Sequence, residues 1–317
     1  MKNSDSKNLG RSKVEVDLHL HTTHSDGRLS PTEVVELSAR RGLKVIAVTD
    51  HDSTDGVAEA TSAARLKGLT IIPGVELDTS VPGKELHLLG YFVDPENASF
   101  CRKMERLRED REHRGKMIVD KLKKLGVSVS WDRVRQLAGD GSIGRPHVAL
   151  ALVEKGYAQH PNEAFNKYLG RNKPAYVNRG GFTPKEAVKM LTDHGAAAVF
   201  AHPTFFVDIG CVEGKTLLRK TLLELKDSGL VGMEVFYGGY TDEVVRSLKT
   251  MADDLGLIAC GGSDYHGLGN PAEPEPGSVG PPMESVNALE TSCVERSSRR
   301  AYPRRHIRPQ RIRGPDN

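Results

Sequence analysis

No stretch of the 317-residue chain approaches the roughly 18 consecutive apolar residues that a membrane-spanning helix needs. The N-terminal MKNSDSKNLGRSK has no apolar core of the kind found in secretory signals. Cysteine is scarce: Cys101, Cys211, Cys260 and Cys293 are far apart and form no CxxC pair, which argues against a disulfide framework or a zinc ribbon. A reducing, cytoplasmic setting is the expectation. Aromatic residues make up only 5% of the chain and the formal net charge is +3, so any attraction for phosphates must come from local clusters rather than from the molecule as a whole. Neither a GxSxG elbow nor a P-loop occurs, which leaves serine-nucleophile chemistry and nucleoside triphosphate turnover without their usual apparatus.

What is present fits a globular α/β protein, with 38% apolar residues, 27% charged residues and 32 glycines for tight turns. The length allows one large barrel or two smaller domains. Short β-branched runs (KVEVDLHLH, KVIAVTDHD, LTIIPGVE, LHLLGYFV, AAAVFAHP, LVGMEVFY and LIACGGSDYH) alternate with amphipathic segments, the rhythm of parallel βαβ units. Ser30-Pro31-Thr32-Glu33 supplies a capping box and a proline at the first helical position, and Gly42 a stop, predicting a helix over 31–41. Thr183, Pro184, Glu186 and Gly195 repeat the device before a strand at Ala197.

Between about 99 and 182 the strand rhythm gives way to charged, helix-forming text, read as a helical insertion folded as a lid over a barrel made of 14–98 and 183–285. Its arginines and lysines are expected to form a solvated face. Residues 1–13 read as a disordered leader. After the proline-rich NPAEPEPGSVGPPMES, residues 286–317 read as a disordered basic tail with Arg296, Arg299, Arg300, Arg304, Arg305, Arg308, Arg311 and Arg313, able to contact nucleic acid without reading its sequence.

The stretch VDLHLHTTHSDG, Val16 to Gly27, gathers three histidines and two aspartates at the end of the first predicted strand. His19 and His21 are two apart, so on a strand their side chains share a face and can grip one ion, with Leu18 and Leu20 turned the other way. The theme recurs. Asp50 and His51 end the second strand, Glu76 follows the third, His87 lies in the fourth, His202 ends the fifth, and Asp264 and His266 follow the last. The C-terminal ends of parallel barrel strands open on one mouth, so these scattered positions are expected to form one site. Six histidines together with Asp26, Glu76 and Asp264 exceed what one ion can hold, which predicts a cluster of two or three divalent metals. Nitrogen and oxygen ligands without sulfur suit manganese, zinc, iron or magnesium. His24 is assigned a plain loop role, and Asp50 is expected to accept a hydrogen bond from His51 and orient it.

Taken in order, DLHLHTTHSDG, VTDHD, PGVE, ELHLLGY, FAHP and GGSDYHG resemble the successive motifs of the PHP (polymerase and histidinol phosphatase) superfamily, across about 15 to 280. The resemblance implies an α/β fold, a distorted seven-stranded parallel (β/α)7 barrel carrying a trinuclear metal site. By motif position, His19, His21, Glu76 and Asp264 would hold one ion, and Glu76 would bridge to a second held with His87 and His202. Asp26, His51 and His266 would bind a third.

Several divalent ions close together can acidify a shared water, orient a phosphate and neutralise the charge of in-line attack. Phosphoester hydrolysis by a metal-bridging hydroxide is therefore the expected reaction, with Glu76, His202 and Asp264 at its catalytic centre. The leaving alkoxide would be protonated by metal-bound water or an adjacent histidine. A phosphate also calls for arginine's planar fork. Arg145 and His147 in IGRPHVA, a stretch similar to one in stand-alone PHP phosphoesterases, are the first candidates for binding substrate, and Arg179 in VNRGGF is a third. The chain is too short to include a replicative polymerase. Its insertion, with GRPH and YLGRNKPAYV, is similar to the branch that hydrolyses nucleoside 3′,5′-bisphosphates and trims short 5′-phosphorylated oligonucleotides. One phosphate would then lie at the metals and the other at the lid's arginine. The rivals are a histidinol-phosphate phosphatase, an amidohydrolase and a nucleic-acid-binding protein acting through the arginine tail. Amidohydrolases also place His-x-His on a first barrel strand, but commonly bridge their metals with a modified lysine where this chain has Glu76.

Overall fold

The computed structural model describes residues 14–81, 83–269 and 273–301. The expected leader, and the tail arginines Arg304, Arg305, Arg308, Arg311 and Arg313, lie outside the described residues. Seven strands pair in sequence order into one sheet that curls into a nearly closed barrel with helices around it: β1 (Val16–Leu20), β2 (Val45–Val48), β3 (Thr70–Val81), β4 (Lys84–Tyr91), β5 (Ala197–Phe200), β6 (Leu230–Tyr237) and β7 (Ile258–Gly262). The expected parallel arrangement holds for all but β4, which runs antiparallel to both neighbours. The cause is local. Val81 pairs directly with Lys84 across a tight hairpin, whereas parallel neighbours need a long crossover.

Closure joins β1 to the segment after β7. His21 N–H donates to the Tyr265 carbonyl at 3.0 Å and Asp264 N–H to the His19 carbonyl at 2.9 Å. The buried Asp17 carboxylate accepts the backbone N–H groups of Ser263 and Gly277, each at 3.0 Å, while burial pushes its pKa up to about 6. Gly262 is required at this seam, because a Cβ there would lie 2.4 Å from the His19 nitrogen. Leu18 and Leu20 do not share a face as expected. A register irregularity between Asp17 and Leu20 sends Leu18 into a cluster with Ala47, Ile72, Leu89 and Val199, and Leu20 into another with Val34 and Val35.

The two capping boxes form as predicted on helices α1 (Pro31–Arg41) and, later in the chain, α7 (Pro184–Asp193); each such cap is typically worth about 1 kcal/mol. Between them come α2 (Val57–Arg65), and then α3 (Ala98–Lys124), α4 (Trp131–Ala138), α5 (Arg145–Glu154), a short α6 (Pro161–Ala164) and one π-helical turn over Phe165–Leu169. Ile118, Leu122, Val134, Val148, Leu152 and Leu169 give these insertion helices a hydrophobic cluster of their own. The α3 face is not wholly solvated as expected, since Arg111 and Arg114 are buried and reach toward β3 and β4. Helices α8 (Pro203–Phe206), α9 (Val212–Asp227) and α10 (Asp242–Leu255) complete the surround.

Over 286–301, the part of the expected disordered tail that is described, the chain instead forms α11 (Met283–Ala301). Its Val286 and Leu289 pack into the same cluster as Leu18 and Leu89, and Arg296 donates to the Ala196 and Gly229 carbonyls. Burial of apolar side chains thus orders a segment whose charge alone suggested a tail. Among the described residues no helix is long and apolar enough to cross a membrane.

Candidate metal centre

All nine ligand-type positions arrive at one end of the barrel. Their donor atoms form three sets, each within 4.8 Å: His19, His21, Glu76 and Asp264; Glu76, His87 and His202; and His21, Asp26, His51 and His266. Glu76 is the hub. One carboxylate oxygen lies 3.2 Å from His19 Nε2, 3.2 Å from His21 Nε2 and 3.3 Å from His51 Nδ1; the other lies 2.8 Å from His87 Nδ1 and 3.0 Å from His202 Nε2. His87 reaches the site from within antiparallel β4, directly opposite Asp78 on β3, rather than from a strand end. Asp78 adds a further set with His51 and His87. It stands two residues beyond Glu76, so the alternation of a strand already placed it on the same face.

The donor set fits divalent cations. His21 Nε2 lies 3.1 Å from an Asp264 oxygen and 3.2 Å from a Glu76 oxygen, yet is buried without a properly directed hydrogen bond among the described residues; Asp26 Oδ1 and His51 Nδ1 share that condition. Lone pairs aimed at a common point, rather than along N–H directions, are what a cation requires. The rings are also crowded, with His21 and His266 stacked at 4.1 Å between centroids. Burial disfavours charge on His21, but the carboxylates of Asp264 and Glu76 close to its Nε2 outweigh it and lift its pKa to about 10. Burial likewise opposes charging His87, while Asp78 and Glu76 raise it to about 9. Burial of Glu76 is outweighed in the other direction by His51, His19 and His87, which hold its carboxyl well below the usual range.

These shifts fix a pH dependence. In the metal-free fold the two rings titrate above the ordinary value of 6.5, so the stability they contribute is complete below about 6.5 and is lost as pH rises through about 9 to 10. A divalent cation held by these donors would take the deprotonated rings and replace that charge. Calorimetric melting of chelated and metal-loaded protein should therefore show a gap in Tm that widens by roughly 5 °C or more from pH 6.5 to 10. A gap that narrows would contradict the assigned proton occupancy.

A surrounding layer holds the donors. Glu234, an acid inside the apolar β6, bonds His19 Nδ1 at 3.0 Å and accepts the His202 N–H at 2.7 Å. The Tyr237 hydroxyl donates to Asp264 Oδ2 at 2.7 Å. His202 and Asp264 have φ of 27° and 55°, left-handed conformations that non-glycine residues adopt at a cost of roughly 1–3 kcal/mol. Asp50 does not orient His51 as expected. Its carboxylate accepts from Thr22 N–H at 2.7 Å, Thr22 Oγ1 at 2.6 Å and Ser25 Oγ at 2.6 Å, shaping the loop that carries Asp26.

The three substrate candidates separate. Arg179 is buried, its guanidinium bound to Asp52 and, at 2.5 Å, to Asp78; Arg111 joins the same two acids at 2.5 and 2.7 Å. Arg179 thus sits in an internal ion-pair network. His147 is also redirected: its Nδ1 accepts the Gly144 N–H at 2.9 Å at the start of α5, and burial lowers its pKa. Arg145 alone borders open space. It is held by Glu85 at 2.6 Å and lies over the Phe165 and Tyr176 rings. The cavity it lines, of about 260 Å³, also presents Arg171, Lys84, His87 and His202. Arg171 lies within YLGRNKPAYV but was not singled out there as a contact, and Lys84 falls just before ELHLLGY; Arg111 escaped because its run of charges looked solvated.

A curated protein of Chromobacterium violaceum named 3′,5′-nucleoside bisphosphate phosphatase is 34% identical over 257 residues, 81% of this chain and 88% of that protein. The PHP domain family matches residues 17–164. The chain belongs to the PHP family. A second PHP-like relative, named 5′-3′ exoribonuclease, from Haemophilus influenzae, is 34% identical over 250 residues, covering 79% of this chain and 89% of its own. A solved structure, described as an amidohydrolase from Chromobacterium violaceum with bound sulfate and no metal, superposes with a TM-score of 0.79 at 31% identity, covering 88% of this chain and 96% of that one. This PHP chain is a metal-dependent phosphoesterase. Where an amidohydrolase would commonly carry a bridging lysine, the position shared by the first two donor sets is Glu76.

Proposed function

We propose that this protein hydrolyses phosphate monoesters of nucleotides, namely nucleoside 3′,5′-bisphosphates and short 5′-phosphorylated oligonucleotides. The observation that carries the reading is the cavity joining two members of the donor cluster, His87 and His202, to the cations Arg145 and Arg171. Arg171 forms no ion pair or hydrogen bond among the described residues. A substrate with phosphates at two positions would bring one to the cluster and the other to the arginines. The names of the Chromobacterium and Haemophilus relatives support this chemistry, and the sulfate of the solved neighbour is a tetrahedral oxyanion of phosphate's shape.

On this reading His19, His21, Asp26, His51, Glu76, His87, His202, Asp264 and His266 hold two or three divalent ions, with manganese the first to test. Such ions supply charge neutralisation at phosphate oxygens and an acidified water. The chain's own residues do the positioning: Glu234 and Tyr237 fix the donors, the insertion serves as a lid, and Glu85 presents Arg145. His147 braces the helix that starts at Arg145. The absence of disulfides among the four cysteines supports a cytoplasmic setting. Phosphate release from adenosine 3′,5′-bisphosphate, a short 5′-phosphorylated RNA and histidinol phosphate, each with manganese, magnesium, zinc or iron, tests the substrate class. The nucleotides should be preferred in kcat/KM. Preference for histidinol phosphate would overturn the reading.

A further inference from the structure

The cavity beside the metal centre has one wall that neither ions nor phosphates explain. Phe205 lines it, yet is 68% exposed, while its neighbour Phe206 is buried in the core at 6%. Phe205 is not a loose surface side chain. It lies in the one-turn α8 that starts immediately after the strained His202, with Pro203 at its first position. Thr204 is pinned by its hydroxyl, which donates to the Tyr240 oxygen at 3.1 Å. The Phe205 ring touches the His202 ring at 4.7 Å between centroids and the Tyr237 ring edge-on at 5.6 Å. Burying Phe206, closing the His202 turn and bonding Thr204 together hold an apolar ring at the rim of a cationic cavity.

Exposure alone would need no explanation, since single apolar side chains are common at surfaces, but this ring is fixed at the rim of a cationic cavity and offers its face to what enters it. A phosphate does not cover that face, whereas a nucleobase does, and base-on-aromatic stacking tolerates every base because each has a π face. The geometry points to Phe205 as the residue on which the substrate's nucleobase stacks, making it a specificity-determining residue for nucleotides over base-free phosphate esters. This rests on the nucleotide reading above and extends it by assigning the base a place.

The test compares wild type, Phe205→Ala and Phe205→Trp, all loaded with manganese, on adenosine 3′,5′-bisphosphate and on base-free ribose 3,5-bisphosphate. Phe205→Ala should lower kcat/KM for the nucleotide by roughly five- to a hundredfold, the range that alanine substitution of a stacking ring produces. It should leave the base-free substrate and metal content unchanged, and Phe205→Trp should restore nucleotide turnover. Quenching of 2-aminopurine riboside 5′-monophosphate fluorescence by wild type, diminished in Phe205→Ala, reads the stack directly. Equal losses on both substrates, or no loss on either, with the nucleotide still turned over by wild type, overturn the stacking role alone. Failure of wild type to turn over the nucleotide at all overturns the nucleotide reading, and the base site falls with it.

Discussion

Glu76→Ala should yield a folded protein with little bound metal and phosphoesterase activity reduced on the order of a thousandfold or more. The reason is the number of partners that one carboxylate serves. Its two oxygens lie within 3.3 Å of nitrogens on His19, His21, His51, His87 and His202, and it belongs to two of the donor sets. Removing it takes away the negative charge on which five imidazoles converge, so the remaining rings repel a cation's approach less by shape than by lost neutralisation. Packing is a separate issue. Glu76→Gln keeps the volume but not the charge, so it should also lose metal, and in the chelated state near pH 6.5 it should melt below wild type because the protonated rings lose their counter-charge. Elemental analysis of each variant, taken with its activity, checks the result. Full metal content with full activity in either variant would remove Glu76 from the centre.

Much of this centre was readable in the one-dimensional pattern because parallel barrels deliver strand ends to one mouth, so acids and histidines recurring at strand ends had few other places to go. The seven strands and the capped helices α1 and α7 followed from alternation and from capping chemistry, both of which act within a few residues. What escaped depends on contacts distant in sequence. Arg111 and Arg179 meet Asp52 across 59 and 127 residues, and no local period distinguishes an arginine that will be buried in such a network from one bound for water. Strand direction at β4 turned on a tight hairpin inside a run that otherwise looked like its neighbours. Order in α11 came from two apolar side chains, Val286 and Leu289, whose effect exists only once the barrel offers them a cluster. His147 and Arg179, expected to face phosphate, also make bonds inside the fold, His147 to the Gly144 N–H and Arg179 to Asp78, which the sequence pattern does not reveal.

Arg145→Ala tests the division of labour between metals and lid, and its expected signature is the reverse of the Glu76 variants. Arg145 lies outside every donor set, so metal content should stay at the wild-type level. Turnover of a 3′,5′-bisphosphate should fall roughly a hundredfold in kcat/KM, in keeping with loss of a charge-assisted, bidentate contact in a partly buried site. A nucleoside monophosphate that offers only the scissile phosphate should lose far less, because it has no second anion for the arginine to hold. Arg145→Lys should fall between, keeping charge but not the planar fork. Glu85 sharpens the expectation. Its carboxylate is held at about 2, chiefly by Arg145 and Arg114 against the opposing effect of burial, so it stays ionised throughout the working range and keeps the guanidinium aimed along the cavity wall between two aromatic rings. Without Arg145 that carboxylate would border the cavity less compensated and would itself repel a phosphate, adding to the loss on the bisphosphate. Loss of the same size on both substrates, or metal leaving with the arginine, would mean that Arg145 supports the centre's structure and the second phosphate binds elsewhere.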